Sequence, residues 1–308
     1  MPPQEPSDRP TTSFVPPPEP HRHASYETEE PGRYGGPTRV IAIANQKGGV
    51  GKTTTAVNLG ASLAEKGHMV LVIDVDPQGN ASTGLGIDVA RRSRSTYQVL
   101  AAQVPLAEAM LETEIPGLWV VPSTIDLAGA EIELVSQFAR ENRLARALEA
   151  VRGAFDFILL DCPPSLGLLT VNAMTAADEL LVPIQCEYYA LEGLGQLLEN
   201  IRLVQQSVNP RLALTGIVLT MFDSRTRLAD QVVAEVREYF GSVVYETVIP
   251  RSVRLAEAPG FGKPITLYDP SSPGAASYRR LAREVLERPA GNGTRAPEPA
   301  GGGEGDAS

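Results

Sequence analysis

One stretch constrains this chain more than any other: a glycine-rich loop set between an apolar run and a helical pattern. Residues 39–44 read RVIAIA and residues 45–55 read NQKGGVGKTTT, after which apolar residues recur at three- and four-residue spacing over 54–66. Glycines let backbone N–H groups turn inward around an anion, and the following helix aims its N-terminus at the same point. The lysine and hydroxyl beyond them complete a phosphate-binding set, with Lys52 for the β- and γ-phosphates and Thr53 for Mg²⁺. Gly48, Gly49, Val50, Gly51, Lys52, Thr53 and Thr54 therefore form the candidate cradle for ATP.

Further short apolar runs lie at 69–74, 118–121, 155–160, 180–184, 212–220 and 243–249. Most are continuous rather than alternating, as expected of strands buried on both faces of a parallel sheet. Helical spacing fills the intervals at 126–151, 191–207, 229–240 and 275–286. This alternation predicts an α/β fold, a doubly wound and mostly parallel sheet flanked by helices, with ligands at the carboxyl ends of the strands.

Two of those ends carry carboxylates. The second run closes on Asp74-Val75-Asp76-Pro77, and alternation along a strand would set Asp74 and Asp76 on one side. The run 155–160 closes on Asp161, the Walker B arrangement, in which a carboxylate holds Mg²⁺ directly or through water. Cys162 beside it reads as a small buried residue.

Composition bounds the folded unit. Ten of the 26 prolines fall in residues 1–38, and residues 289–308 are rich in Gly, Pro and Ala. Neither end holds enough apolar surface to offset its ordering entropy, so both read as disordered tails around one domain at 39–288. With no apolar run of spanning length, no membrane association is expected, and the opening residues lack a signal-peptide pattern, pointing to the cytoplasm. Two cysteines and three histidines leave little material for a thiolate or histidine metal centre.

The form KGGVGKTT, with Lys47 early and Gln46 where the general pattern has glycine, resembles the deviant Walker A motif of the ParA/MinD group of P-loop ATPases. The resemblance implies that Lys47 reaches across a dimer interface to the partner's nucleotide, adding charge stabilisation as an arginine finger does. DVDPQGN, residues 74–80, resembles that group's switch I, which makes Asp76 the residue positioning the hydrolytic water and leaves Asp74 as its support or a loop anchor. DCPPS, residues 161–165, resembles switch II, and Pro250 matches a proline lying against the adenine.

Within the group, TIDLAGAEIEL (124–134), CEYYALEG (186–193) and IPRSVRLAEAP (249–259) look like the chromosomal ParA (Soj) proteins. That resemblance implies an ATP-dependent homodimer that binds double-stranded DNA without sequence preference on the nucleoid. It also implies a ParB-like centromere-binding partner that stimulates an otherwise weak hydrolysis. The matching basic positions are Arg225, Arg251 and Arg254, with Lys263, Arg279 and Arg280 beside them. Residues 211–288 hold eleven bases and nine acids in a chain of net charge −10, so this part is the basic one. A ParA-like ATPase positioning a non-DNA cargo is the alternative. No basic amphipathic C-terminal helix of the MinD kind is visible, nor a cysteine pair placed to share a cluster between subunits.

Overall fold

The computed structural model describes residues 36–187 and 190–288. The segments expected to be tails, 1–38 and 289–308, lie almost wholly outside the described residues. The strands are β1 Arg39–Ile43, β2 Val70–Asp74, β3 Leu111–Glu112, β4 Leu118–Val121, β5 Phe157–Asp161, β6 Glu179–Gln185, β7 Ala213–Phe222 and β8 Val244–Pro250. The helices are α1 Lys52–Ala64, α2 Asn80–Gly84, α3 Thr96–Leu100, α4 Leu106–Ala109, α5 Leu127–Glu133, α6 Arg143–Glu149, α7 Leu168–Ala176, α8 Ala190–Ser207, α9 Arg227–Phe240, α10 Val253–Glu257, α11 Ile265–Tyr268 and α12 Pro273–Glu287.

The strands form one sheet in the order β3-β4-β2-β5-β1-β6-β7-β8. Every neighbouring pair is parallel except β3 with β4. The continuous apolar runs follow from burial on both faces. Val40, Leu71, Ile73, Ile158 and Leu160 join Leu144, Leu169, Ala173 and Leu197 in one core. Ile41, Ile43, Val70, Val72 and Leu159 join Leu59 and Leu63 of α1 and Tyr278 and Leu281 of α12 in the other.

The chain moves from β1 out to β2 and β4, returns to insert β5 between β2 and β1, then crosses over β1 to β6. Strand order therefore reverses at β1 and β5, the place where an open α/β sheet binds ligands. In register, Asp161 of β5 stands opposite both Asp74 of β2 and Ile43 of β1. Three chain segments distant in sequence thus end side by side.

Besides the short elements β3, α2, α3, α4, α10 and α11, which the sequence pattern does not mark, the structure departs from the expected elements at three points. The single helical pattern over 126–151 is broken into α5 and α6, with Ala139 between them at φ 51°, in the left-handed region. Leu127, Ala130 and Leu134 face the core before the break and Leu144 and Leu148 after it, while Val135 and Phe138 are exposed. α7 is apolar nearly all round, so it offers no one-faced stripe to read, and it is buried at Leu169, Thr170, Asn172, Ala173, Met174 and Ala176. β2 stops at Asp74, so strand alternation does not reach Asp76, which lies in the turn beyond.

Candidate nucleotide site

The loop after β1 takes the shape its glycines permit. Gly49 and Gly51 have φ of 74° and 90°. Gly51 precedes α1 without a side-chain cap, which leaves the first amides of the helix free to face an anion. Asn45 Nδ2 donates to Pro183 O of β6 at 2.8 Å, and Thr220 Oγ1 of β7 donates to Val50 O at 2.8 Å, so the loop is tied to the sheet at both ends.

Lys52 is buried, and its ammonium donates to Lys47 O at 3.1 Å. Burial lowers its pKa, while the charges of Asp161, Cys162 and Asp76 act the other way. Asp161 is fully buried, and neither carboxylate oxygen accepts a hydrogen bond of normal geometry. Burial and the neighbouring Asp74 push its pKa well above the ordinary range, and the nearby Thr53 hydroxyl and Lys52 only partly offset them. An unsatisfied buried carboxylate beside a threonine hydroxyl is what a hard divalent cation would complete, so the residues present fit Mg²⁺.

Asp74 is satisfied instead. Its Oδ1 accepts Asp76 N at 3.2 Å, and its Oδ2 accepts Ser82 N at 2.8 Å and Ser82 Oγ at 2.6 Å. It is thus the anchor of the loop rather than a free ligand, with its pKa pushed up to about 6 chiefly by burial. Asp76 starts a turn in which Gln78 N donates to its Oδ1 at 2.9 Å and Gly79 N to its backbone oxygen at 3.0 Å. Cys162 is buried and its thiol pKa is raised by burial, as suits a packing role.

A cavity of about 410 Å³ opens beside the loop, lined by Gly51, Thr54, Thr220, Met221, Pro250 and Tyr278 among others. Of these, sequence reasoning supplied Pro250 and the loop residues. Met221, at φ 52°, and Tyr278, whose hydroxyl lies 3.3 Å from Thr55 Oγ1, were not legible because they sit in ordinary apolar patterns. Lys47 is half-exposed, and its ammonium pairs with Glu187 Oε2 at 2.7 Å. Glu187 had no signal beyond its place in the CEYYALEG stretch.

The basic residues separate into groups. Arg225 is 85% exposed at the end of β7 and pairs with Asp223. Arg251 N donates to Phe222 O at 2.9 Å, which sets Arg251 beside that same strand end. Arg254, on α10, pairs with Glu257 at 3.2 Å and Asp269 at 3.7 Å. Lys263 instead lines a separate cavity of about 250 Å³ with Thr53, Thr54, Asn80 and Thr83. Arg279 turns away to Glu65, just past the far end of α1, at 2.8 Å and to Pro270 O at 2.6 Å. Arg280 is exposed on α12 with its guanidinium on Ser277 Oγ.

A phosphate loop, a strand-end carboxylate and a doubly wound sheet with the switch point between them define a P-loop nucleotide-binding protein. The family model described as an AAA domain matches residues 38–214. The chain is 57% identical over 254 residues to the chromosome partitioning protein ParA of Caulobacter vibrioides, covering 82% of this chain and 95% of that protein. It is 58% identical over 247 residues to the sporulation initiation inhibitor protein Soj of Bacillus subtilis, covering 80% and 98%. The chain belongs to the ParA/Soj family of chromosome-partitioning P-loop ATPases.

Among solved structures, a cobyrinic acid a,c-diamide synthase from Mycobacterium smegmatis with bound ATP analog and magnesium matches at TM-score 0.72. It is 42% identical, with coverage of 81% of this chain and 95% of that one. The cell division ATPase MinD of Pyrococcus furiosus matches at TM-score 0.68 and 28% identity, covering 81% and 98%. No helix among the described residues is long and apolar enough to cross a membrane.

Proposed function

We propose that this chain hydrolyses ATP with Mg²⁺, that ATP joins two copies face to face, and that the dimer binds DNA without sequence preference until a ParB-like partner stimulates hydrolysis. The observation that carries this reading is the meeting of Lys52, Asp161 and the Asp76 turn at the adjoining ends of β1, β5 and β2. The relatives named for chromosome partitioning and the neighbour solved with an ATP analog and magnesium support it.

In this mechanism the residues 48–54 wrap the phosphates with backbone amides, and Lys52 leaves Lys47 O for the β- and γ-phosphate oxygens. Thr53 and Asp161 would hold the magnesium ion, whose chemistry is to neutralise charge on those oxygens. Asp76 orients the attacking water. Positioning and charge neutralisation carry most of the acceleration, so no base with a tuned pKa is required. Lys47 leaves Glu187 and reaches the partner's nucleotide. Pro250 borders the base in the 410 Å³ cavity.

Arg225, Arg251 and Arg254 form the DNA-facing group, with Arg280 more remote. Lys263, which lines the 250 Å³ cavity, and Arg279, which pairs with Glu65, take a lesser part in this reading. This reading sets the protein in the cytoplasm on the nucleoid, with residues 1–38 and 289–308 as tails of a single ATPase domain. The test is DNA retention: it should appear with ATP, vanish with ADP, and fall in Arg225→Ala and Arg251→Ala. Retention that ignores the nucleotide would reject the cycle.

A further inference from the structure

Arg92 belongs neither to the phosphate loop nor to the basic surface, yet it is buried, with 8% of its surface exposed. It follows the short turn Val89–Arg91, and its guanidinium faces four acceptors. Nη1 donates to Gly79 O and to Ser123 O, each at 3.3 Å. Nη2 donates to Thr83 Oγ1 at 2.8 Å and to Ile87 O at 2.7 Å, and Nε donates to Ile87 O at 3.1 Å. These acceptors are three carbonyls and a hydroxyl, with no carboxylate in direct contact. Burying a cation in that way is costly, and a small polar residue could bridge fewer groups at less expense.

The acceptors show what the guanidinium holds. Gly79 ends the turn that begins at Asp76, Thr83 lies in α2, and Ser123 follows β4. The fit around Gly79 is close: at its φ of 65°, an added Cβ would lie 2.6 Å from Arg92 Nη1 and 3.0 Å from Ser123 O. Asp74 grips the start of the same turn through Asp76 N, and its partner Ser82 Oγ accepts Ser123 N at 2.9 Å. The Asp76 turn is therefore pinned at its start by Asp74 and at its end by Arg92, with both clamps reaching the end of β4.

We propose that Arg92 is a positioning residue for ATP hydrolysis, fixing the 76–79 turn so that the Asp76 carboxylate meets the attacking water without Arg92 touching the nucleotide. This rests on the water-orienting role assigned to Asp76. A fork of donors spanning four acceptors cannot be replaced by a single ammonium, so lysine should substitute poorly. Groups that orient a reacting group from behind typically account for about 10–100-fold of its effect.

The experiment uses the full chain with Mg·ATP and DNA, comparing wild type, Arg92→Gln, Arg92→Lys, Thr83→Val and Asp76→Ala. Steady-state phosphate release gives kcat and KM, equilibrium binding gives ATP affinity, and circular dichroism reports folding. Arg92→Gln should lower kcat by about tenfold or more, with KM and ATP affinity within about twofold of wild type. Arg92→Lys should recover little. Thr83→Val, which removes both an acceptor of Arg92 and the bond from Thr83 Oγ1 to Gly79 O at 3.0 Å with little change of shape, should loosen the same turn and lower kcat in the same direction. Arg92→Gln combined with Asp76→Ala should be no slower than Asp76→Ala alone, because both act on one water. An unchanged kcat in folded Arg92→Gln, or in Thr83→Val should the arginine variants not fold, overturns the proposal. So does a kcat loss matched by lost ATP affinity. Normal hydrolysis by Asp76→Ala would instead overturn the role of Asp76 itself and the brace with it.

Discussion

Asp161 concentrates the chemistry of the site in one side chain. A fully buried carboxylate with little hydrogen bonding destabilises the empty protein whenever it is ionised, and is relieved by taking up a proton or a cation. Replacing it with asparagine should therefore raise the melting temperature of nucleotide-free protein while lowering Mg²⁺-dependent hydrolysis by at least about 10–100-fold. The pH dependence has a definite sign. Asp74 is raised from 3.8 to about 6 and Asp161 is raised as well, so the folded state holds protons that the unfolded chain has released. Their contribution to stability is full below pH ~3.8 and is lost as pH rises, through about 6 for Asp74, with Asp161 shifted in the same direction. Denaturant melts of Mg²⁺-free protein from pH 4 to 7 should show this decline, and the Asp161→Asn variant should show less of it. Lys47 behaves differently. Its pair with Glu187 is about half-exposed on both sides and worth less than about 1 kcal/mol, so the ammonium can leave at little cost. Lys47→Ala should leave monomer stability and ATP binding near wild type and abolish the ATP-dependent dimer, which gel filtration would report.

At the scale of elements, the sequence announced every strand but the two-residue edge strand β3, because burial on both faces leaves continuous apolar runs, and it announced α1 because the phosphate loop opens it. It concealed α7, whose apolar residues are spread nearly all round, and the break before α6, where Ala139 adopts a left-handed backbone that no glycine marks. The site divided in the same way. Lys52, Thr53, Asp161 and Asp76 lie in local patterns tied to strand ends, whereas Arg92, Glu187 and Met221 acquire meaning only through their neighbours from distant segments. The sequence alone does not show that Arg279 pairs with Glu65, nor that Arg225 and Arg251 lie at one strand end. DNA affinity should accordingly fall in Arg225→Ala and Arg251→Ala and stay near wild type in Arg279→Ala. The slope of log affinity against log salt should become shallower by about 0.9 for each phosphate that a variant no longer neutralises. Packing between elements gives a separate check. A Cβ added at Gly216 of β7 would lie 2.2 Å from Tyr245 Cε2 of β8, a ring that is itself fully buried. Gly216→Ala should cost about 1–3 kcal/mol in urea unfolding without changing the nucleotide loop.

For the molecule as a whole, the order of strands decides the function. Inserting β5 between β1 and β2 gathers the phosphate loop, the buried carboxylate and the Asp76 turn on one edge. Lys47 stands on that same edge, half-exposed. In the proposed function this ammonium exchanges its surface pair with Glu187 for the nucleotide of a second copy. Sedimentation of the Asp76→Ala protein saturated with Mg·ATP tests this most directly. The expected result is a dimer that is stable because turnover is blocked, and that reverts to single subunits when ADP replaces ATP or when Lys47→Ala is added. Single subunits at saturating ATP, in a variant that demonstrably binds the nucleotide, would contradict it.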